Sequence, residues 1–310
     1  MAGFLTLEYA DDLLSLKRGK SENGKGEEKL FMHENRRLKD LNLDDPFMFA
    51  MVMSDPEVLK PFLELVLEMK IARVERTDYE KAFAPDYYSH GIRLDVYAAD
   101  EKETRYNVEM QRRNEYNVGK RSRYYHSIMD VDALSKGVPY ENLKDTFVIF
   151  VCEFDPFENG LQKYTFSSRC VEDYGLELED GAQTIVLTNC PGEPEIEDFY
   201  RYLQNSTEEQ ASECGSDLVR IIHDRVRNVR FDPKMEVEYM RFEEMQREQF
   251  EKGKNLGWAE GKAEGRAEGR TEERALLAEV IRNLRSGVSA DSLRNDGYNE
   301  ETIELALSVL

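Results

Sequence analysis

The chain has 310 residues, enough for one sizeable core with appendages, and its 42 Lys and Arg against 63 Asp and Glu leave a formal charge of −21. Such a charge opposes unspecific adhesion to nucleic acid or anionic membranes unless basic residues cluster locally. Cys152, Cys170, Cys190 and Cys214 show no CxxC pair and no histidine spacing suited to zinc, and no apolar run reaches the length of a signal peptide or membrane span; free thiols in a soluble, cytoplasmic protein are expected.

In chain order, residues 1–30 end in RGKSENGKGEEK, charged and without apolar periodicity, and read as a flexible leader. Asp45-Pro46 opens an apolar stretch. Asp55-Pro56 opens a helix whose Val58, Phe62, Leu65, Val66 and Met69 recur on one face. Beyond a loop through Pro85 and Gly91, Ile92, Leu94 and Val96 alternate with Arg93, Asp95 and Tyr97, and Tyr106 to Gln111 alternates likewise, so both are strands. DTFVIFVCEF (145–154) predicts a central strand buried on both faces. Strands are expected over 162–166 and 183–188, and helices from Glu195 onward with breaks at Phe231-Asp232-Pro233 and Gly287. The layout is an α/β or α+β core over 31–230, a charged helical stalk over 231–274 and a small helical element over 275–310.

Residues 93–111 raise a chemical question. Strand alternation puts Asp95, Glu109 and Gln111 on one face, and a hairpin register pairing Val96 with Val108 sets Asp95 against Glu109, Cβ atoms about 5 Å apart. Two like charges so placed repel, and a divalent cation would relieve them; Mg2+ favours one or two carboxylates while keeping several waters. An antiparallel strand with a wet face carries such residues without any function, and on spacing alone that is the simpler reading. The neighbourhood adds weight to the first. Between residues 105 and 126 stand Arg105, Arg112, Arg113, Lys120, Arg121 and Arg123 against only Glu109 and Glu115, with Tyr116, Tyr124 and Tyr125 interleaved. A basic, aromatic patch beside carboxylates suits a metal-dependent phosphodiesterase, although these bases also fit a solvated helix that neutralises nearby acids.

The tail GWAEGKAEGRAEGRTEE (257–273) repeats glycine at 257, 261, 265 and 269. As a helix it stacks like charges at i and i+4 and loses about 1 kcal/mol per glycine relative to alanine, so it would be marginal alone. Two such helices could approach along Gly and Ala with opposite-charge stripes paired, by analogy with small-residue packing; a flexible linker is the competing reading. Past it, two short helices with a Gly287 turn and a Ser289 cap are expected. The second is acid-rich, which favours a capping or oligomerising role over a helix-turn-helix.

The blocks DDPFMFAMVMSDPEVLKPFLELVL, GIRLDVYAADEKETRYNVEMQ and RSRYYHSIMD…LSKGVPYENLKDTFVIFVCEFDPF, in this order and spacing from about Leu43 to Thr188, resemble the PD-(D/E)XK nuclease family transposases, or recombination-promoting nucleases. The resemblance implies a restriction-endonuclease-like mixed sheet flanked by helices and cleavage of DNA with Mg2+, or alternatively Mn2+. It assigns Asp95 as the motif aspartate and Glu109 with Gln111 as the E-x-Q form of (D/E)-x-K, the two carboxylates as metal ligands. Gln111 departs from the wider lysine pattern: an amide orients a water by hydrogen bonding but brings no charge. Glu64 is a candidate outer-shell carboxylate, Arg121 the first candidate for a DNA phosphate contact, and Arg112, Arg113, Lys120 and Arg123 its companions. A mobile-element-associated endonuclease is the leading reading, a catalytically weak DNA- or protein-binding relative that oligomerises through its helical tail is the rival, and a plain scaffold is the third.

Overall fold

The computed structural model describes residues 36–83, 92–114, 116–134 and 137–310; the expected leader lies outside them. The two Asp-Pro starts behave as their chemistry requires. Helix α1 (Pro46–Met53) is capped by Asp45, whose carboxylate accepts from the Phe47 and Met48 amides, and α2 (Pro56–Leu67) by Asp55, which accepts from the Glu57 amide. Every residue of α1 after its proline is buried.

Six strands form one mixed sheet: β1 (Val74–Phe83), β2 (Ile92–Asp100), β3 (Arg105–Gln111), β4 (Thr146–Cys152), β5 (Lys163–Phe166) and β6 (Ala182–Thr188), in the order β1-β2-β3-β4-β6-β5. The pairs β1/β2, β2/β3 and β5/β6 are antiparallel; β3/β4 and β4/β6 are parallel. The β2/β3 register pairs Val96 with Val108 and Tyr97 with Asn107, the register under which Asp95 stands against Glu109. Strand β1 was not foreseen: VERTDYEKAF has charges at too many positions to show a period.

A parallel pair needs a crossover, and between β3 and β4 it contains helix α3 (Val118–Ala133). The sheet is therefore covered on both faces. On one, Val96, Tyr106, Val108, Met110, Ile149, Val151 and Leu187 join α1, α2 and the later helices α4 (Pro194–Gln204), α5 (Glu208–Glu213) and α6 (Asp217–Phe231) in the main core. On the other, Tyr97, Val148, Phe150, Cys152 and Val186 meet Val118, Tyr125, Ile128 and Met129 of α3. Strand β4, buried at all seven positions, lies at the centre as expected.

The chain divides into two compact units, the first ending at Gln249 and the second running Phe250–Leu310. Helix α7 (Pro233–Arg285) starts after the Asp232 break, and the glycine-repeat segment is helical. Within the second unit, Val280 on α7, Leu293 on α8 (Ala290–Asn295) and Ile303 and Ala306 on α9 (Glu300–Ser308) make a small core. Gly287 turns with φ of 95°, where a side chain would be strained, and Ser289 caps α8 by accepting from the Ser292 amide.

Candidate active site

Alternation along β3 sends Tyr106, Val108 and Met110 into the main core and Arg105, Asn107, Glu109 and Gln111 to the opposite face. That second face would be wet if the sheet had one open side. It is not wet: all seven residues of β3 are buried, because the crossover helix α3 lies over them. Four polar side chains on one buried face are costly unless each is satisfied. The plain wet-face reading of Glu109 and Gln111 fails on this point.

The satisfaction is specific. Glu109 Oε1 accepts from Asn107 Nδ2 at 3.0 Å and from the Asp95 amide at 3.3 Å. Its Oε2 accepts from Arg121 Nη2 at 3.2 Å and from the Tyr125 hydroxyl at 3.3 Å. Arg121 Nη1 donates to Gln111 Oε1 at 2.6 Å, and Gln111 Nε2 to the Met110 carbonyl at 3.0 Å. Asp95 Oδ2 accepts from the Met110 amide at 3.1 Å, which ties β2 to β3 beside Glu109. Asp95 is half-buried, whereas Glu109 is 2% and Gln111 3% exposed. The hairpin thus brings Asp95, Glu109 and Gln111 together as the sequence implies.

Burial above all, and then the charge of Asp95, lift the Glu109 pKa well above the usual carboxylate range; Arg121, the Asn107 hydrogen bond and the Asp95 amide oppose this without cancelling it. Burial likewise raises the Tyr125 hydroxyl, with Glu109 adding to it. One guanidinium therefore faces two carboxyl groups that do not both ionise readily in this buried setting.

Arg121 needs correcting. Expected as a phosphate contact, it is 6% exposed and turned inward. The reason is helical spacing: Val118, Arg121, Ser122, Tyr125, Ile128 and Met129 form the buried face of α3. Its guanidinium lies 5.6 Å from the Tyr125 ring centre and 5.7 Å from that of Phe150, and Nε and Nη2 donate to the Tyr125 hydroxyl at 3.1 and 2.9 Å. Arg105 is also internal, ion-paired with Asp132. The exposed part of the basic patch is Arg112, Arg113, Lys120 and Arg123; Arg112 is paired with Asp44 and Glu153. Lys120 and Arg123 line a cleft of about 450 Å³ along α3 together with Asn117, Arg121, Tyr124, Tyr125 and Ser127.

Glu64 is a second correction. Its Oε1 accepts from the Ile71 amide at 2.9 Å and its other partners are Lys60 and Lys70, so it closes the turn after α2 and, among the described residues, makes no hydrogen bond or ion pair to the hairpin. Asn107 carries no role in the sequence reading, although it is the next polar member of the β3 alternation; Tyr125, expected as an aromatic face of the basic patch, instead turns its hydroxyl to Arg121 and Glu109.

Among the described residues no group of three or more His, Cys, Asp or Glu side chains gathers in a metal-ligand arrangement. Asp95 and Glu109 are two hard oxygen donors, and a bound cation would favour the ionised form of Glu109 that burial disfavours. That donor set suits a divalent cation that keeps most of its waters, such as Mg2+, and does not suit zinc.

Residues 47–187 match the family model described as PD-(D/E)XK nuclease family transposase, from Phe47 in α1 to Leu187 in β6. The family named by the sequence blocks is the one found, and the mixed sheet flanked by helices is its fold. No curated protein and no solved structure matches the chain. A domain of this family points to a nuclease acting on DNA, and its nucleases typically use divalent metals, although transposase-family members can be inactive.

Proposed function

Taking residues 47–187 as a PD-(D/E)XK nuclease-family domain, we propose that the protein is a metal-dependent DNA endonuclease associated with mobile elements or recombination. The observation that carries this reading is the Asp95–Glu109 carboxylate pair, in which a covering helix buries Glu109 against one arginine while Asp95 beside it stays half-buried. A fold that needed only stability would lose nothing by making this face apolar. Asp95 and Glu109 would hold Mg2+ or Mn2+, which when bound supplies an activated water and screens the charge of the scissile phosphodiester. Asn107 and Tyr125 fix the Glu109 carboxylate, and Gln111 acts as the hydrogen-bonding member of the set. Arg113, Lys120 and Arg123, with Arg112 where it leaves its Asp44 and Glu153 partners, would offer the backbone of a DNA duplex a positive surface in a chain of charge −21.

Self-association through the C-terminal helices belongs to the same proposal. A Cβ at Gly257, Gly261, Gly265 or Gly269 would meet no atom within 4 Å, so the described chain offers no packing reason for these glycines. Among the described residues no helix is long and apolar enough to cross a membrane. Cys152 and Cys214 are buried, Cys170 and Cys190 half-buried, and all four are free thiols, in keeping with a reducing cytoplasm.

A second reading has its own support: both Glu109 oxygens are already engaged by protein donors and Gln111 brings no charge, which fits a DNA-binding relative that does not cut. Supercoiled plasmid separates the two. Relaxation or linearisation by the wild type that requires a divalent cation, and that Asp95→Ala and Glu109→Ala abolish, supports the endonuclease. Retention of DNA without cleavage across Mg2+ and Mn2+ by folded protein supports the binding relative.

A further inference from the structure

Gln111 stands where the wider motif has a lysine, and an amide has a weakness that an ammonium lacks. It can turn over by half a revolution about its last bond, presenting either two N–H donors or a carbonyl oxygen to whatever lies in front of it. We propose that Arg121 is a positioning residue that fixes this choice, holding the Gln111 carbonyl inward so that Gln111 serves the reaction as a hydrogen-bond donor, as a lysine there would. The inference rests on the endonuclease reading and deepens it.

The contact between Arg121 Nη1 and Gln111 Oε1, at 2.6 Å, is the shortest in the cluster and is charge-assisted. Turning the amide over would set N–H groups against the guanidinium and lose that bond. The arginine cannot follow, because its Nε and Nη2 are held by the Tyr125 hydroxyl, its Nη2 by Glu109, and its guanidinium carbon packs 5.6 and 5.7 Å from the Tyr125 and Phe150 ring centres. The Met110 carbonyl takes one of the two Gln111 N–H groups, and no described residue takes the second, although the side chain is 3% exposed. A buried donor with a spare N–H, one residue past the Met110 amide that binds Asp95, is placed to meet an oxygen of water or phosphate at the carboxylate pair. With the amide reversed, the same place would present lone pairs to lone pairs.

Arg121 therefore acts through Gln111, and the separate consequences can be read out. Gln111→Glu keeps an acceptor for Arg121, so the protein stays folded, but it removes the donor; DNA cleavage in Mg2+ or Mn2+ falls about 100-fold, the scale of losing one preorganised donor. Arg121→Met frees the amide and lowers cleavage on the same order. Gln111→Lys added to Arg121→Met regains about tenfold or more, because an ammonium has no wrong face. In the protein without divalent cation, the Gln111 side-chain amide protons, assigned by nuclear magnetic resonance through their loss in Gln111→Glu, shift and exchange faster with solvent in Arg121→Met.

Wild-type cleavage by Gln111→Glu overturns the inference while leaving the endonuclease reading intact. So does a double variant no more active than Arg121→Met while folded, or a Gln111 amide indifferent to Arg121→Met. Should Arg121→Met fail to fold, Gln111→Glu alone decides. A wild type that cuts in no divalent cation overturns the endonuclease reading, and this inference with it.

Discussion

Glu109→Gln separates a structural ion pair from a strained ligand pair, because the two give opposite signs of stability change. If Glu109 were simply the partner of buried Arg121, removing its charge would strand a guanidinium and cost about 3–5 kcal/mol. The geometry argues otherwise. Glutamine keeps an acceptor oxygen for Arg121 or Asn107, the desolvated charge disappears, and so does the repulsion from Asp95, the two largest causes of the raised Glu109 pKa. A raised pKa means that the folded protein holds the proton more firmly than the unfolded chain. The penalty for an ionised Glu109 therefore grows as pH rises above its ordinary range of about 4.3, at about 1.4 kcal/mol per pH unit until the folded pKa is passed.

Without divalent cation at pH 7 to 8, Glu109→Gln, which keeps only one of the two acceptor oxygens and so gives back part of that penalty, is expected to be at least as stable as wild type, and the gain should vanish near pH 4. With Mg2+ the order reverses. A wild type saturated a hundredfold above its dissociation constant gains about 2.7 kcal/mol, and the variant gains little. Urea unfolding followed by circular dichroism, at two pH values with and without Mg2+, measures all four numbers. A loss of 3 kcal/mol or more in the variant without cation at pH 8 would refute the reasoning and make Glu109 a structural partner of Arg121.

Other consequences are simpler. Lys120→Ala and Arg123→Ala should each weaken DNA binding similarly across sequences and lower the slope of log K against log salt by about one, whereas Glu64→Gln leaves binding unchanged; fluorescence anisotropy at several salt concentrations tests this. Burial holds His126 down to about 4 despite Asp180, its ring nitrogens facing Thr146 and Thr184. The stability it contributes is present above its unfolded value of about 6.5 and is lost as pH falls towards 4, so His126→Gln should flatten the acid limb of a melting-temperature profile. Replacing Gly257, Gly261, Gly265 and Gly269 together by alanine should raise helicity, by up to about 1 kcal/mol per site, and weaken self-association; circular dichroism and sedimentation give the two readings, and stronger association would count against close approach along the glycines.

The shared face of Asp95, Glu109 and Gln111 was legible in the sequence from strand alternation, whereas the register, conditional there because a slip of two residues keeps every face, is fixed only by the observed Val96–Val108 pairing. The Asp-Pro helix starts and the Ser289 cap were legible for the same local reason: a side chain and an amide a few residues apart. What covers the polar face was not. Alternation shows that Arg105, Asn107, Glu109 and Gln111 share a side, but only the parallel β3/β4 pairing makes α3 a lid over it, and that pairing is long-range. Arg121 was misplaced because charge alone suggested exposure, although its spacing from Val118, Tyr125 and Ile128 already put it on the buried stripe.

The central claim is that Asp95 and Glu109 form the seat of a divalent cation. Electron paramagnetic resonance of free Mn2+ in titrations of wild type and Asp95→Asn tests it most directly. The expected result is one ion per chain, competed by Mg2+, with the site abolished in Asp95→Asn, which removes half of the donor pair and leaves the Arg121 network in place. Wild type that withdraws no Mn2+ from solution, or Asp95→Asn that withdraws as much as wild type, would contradict it.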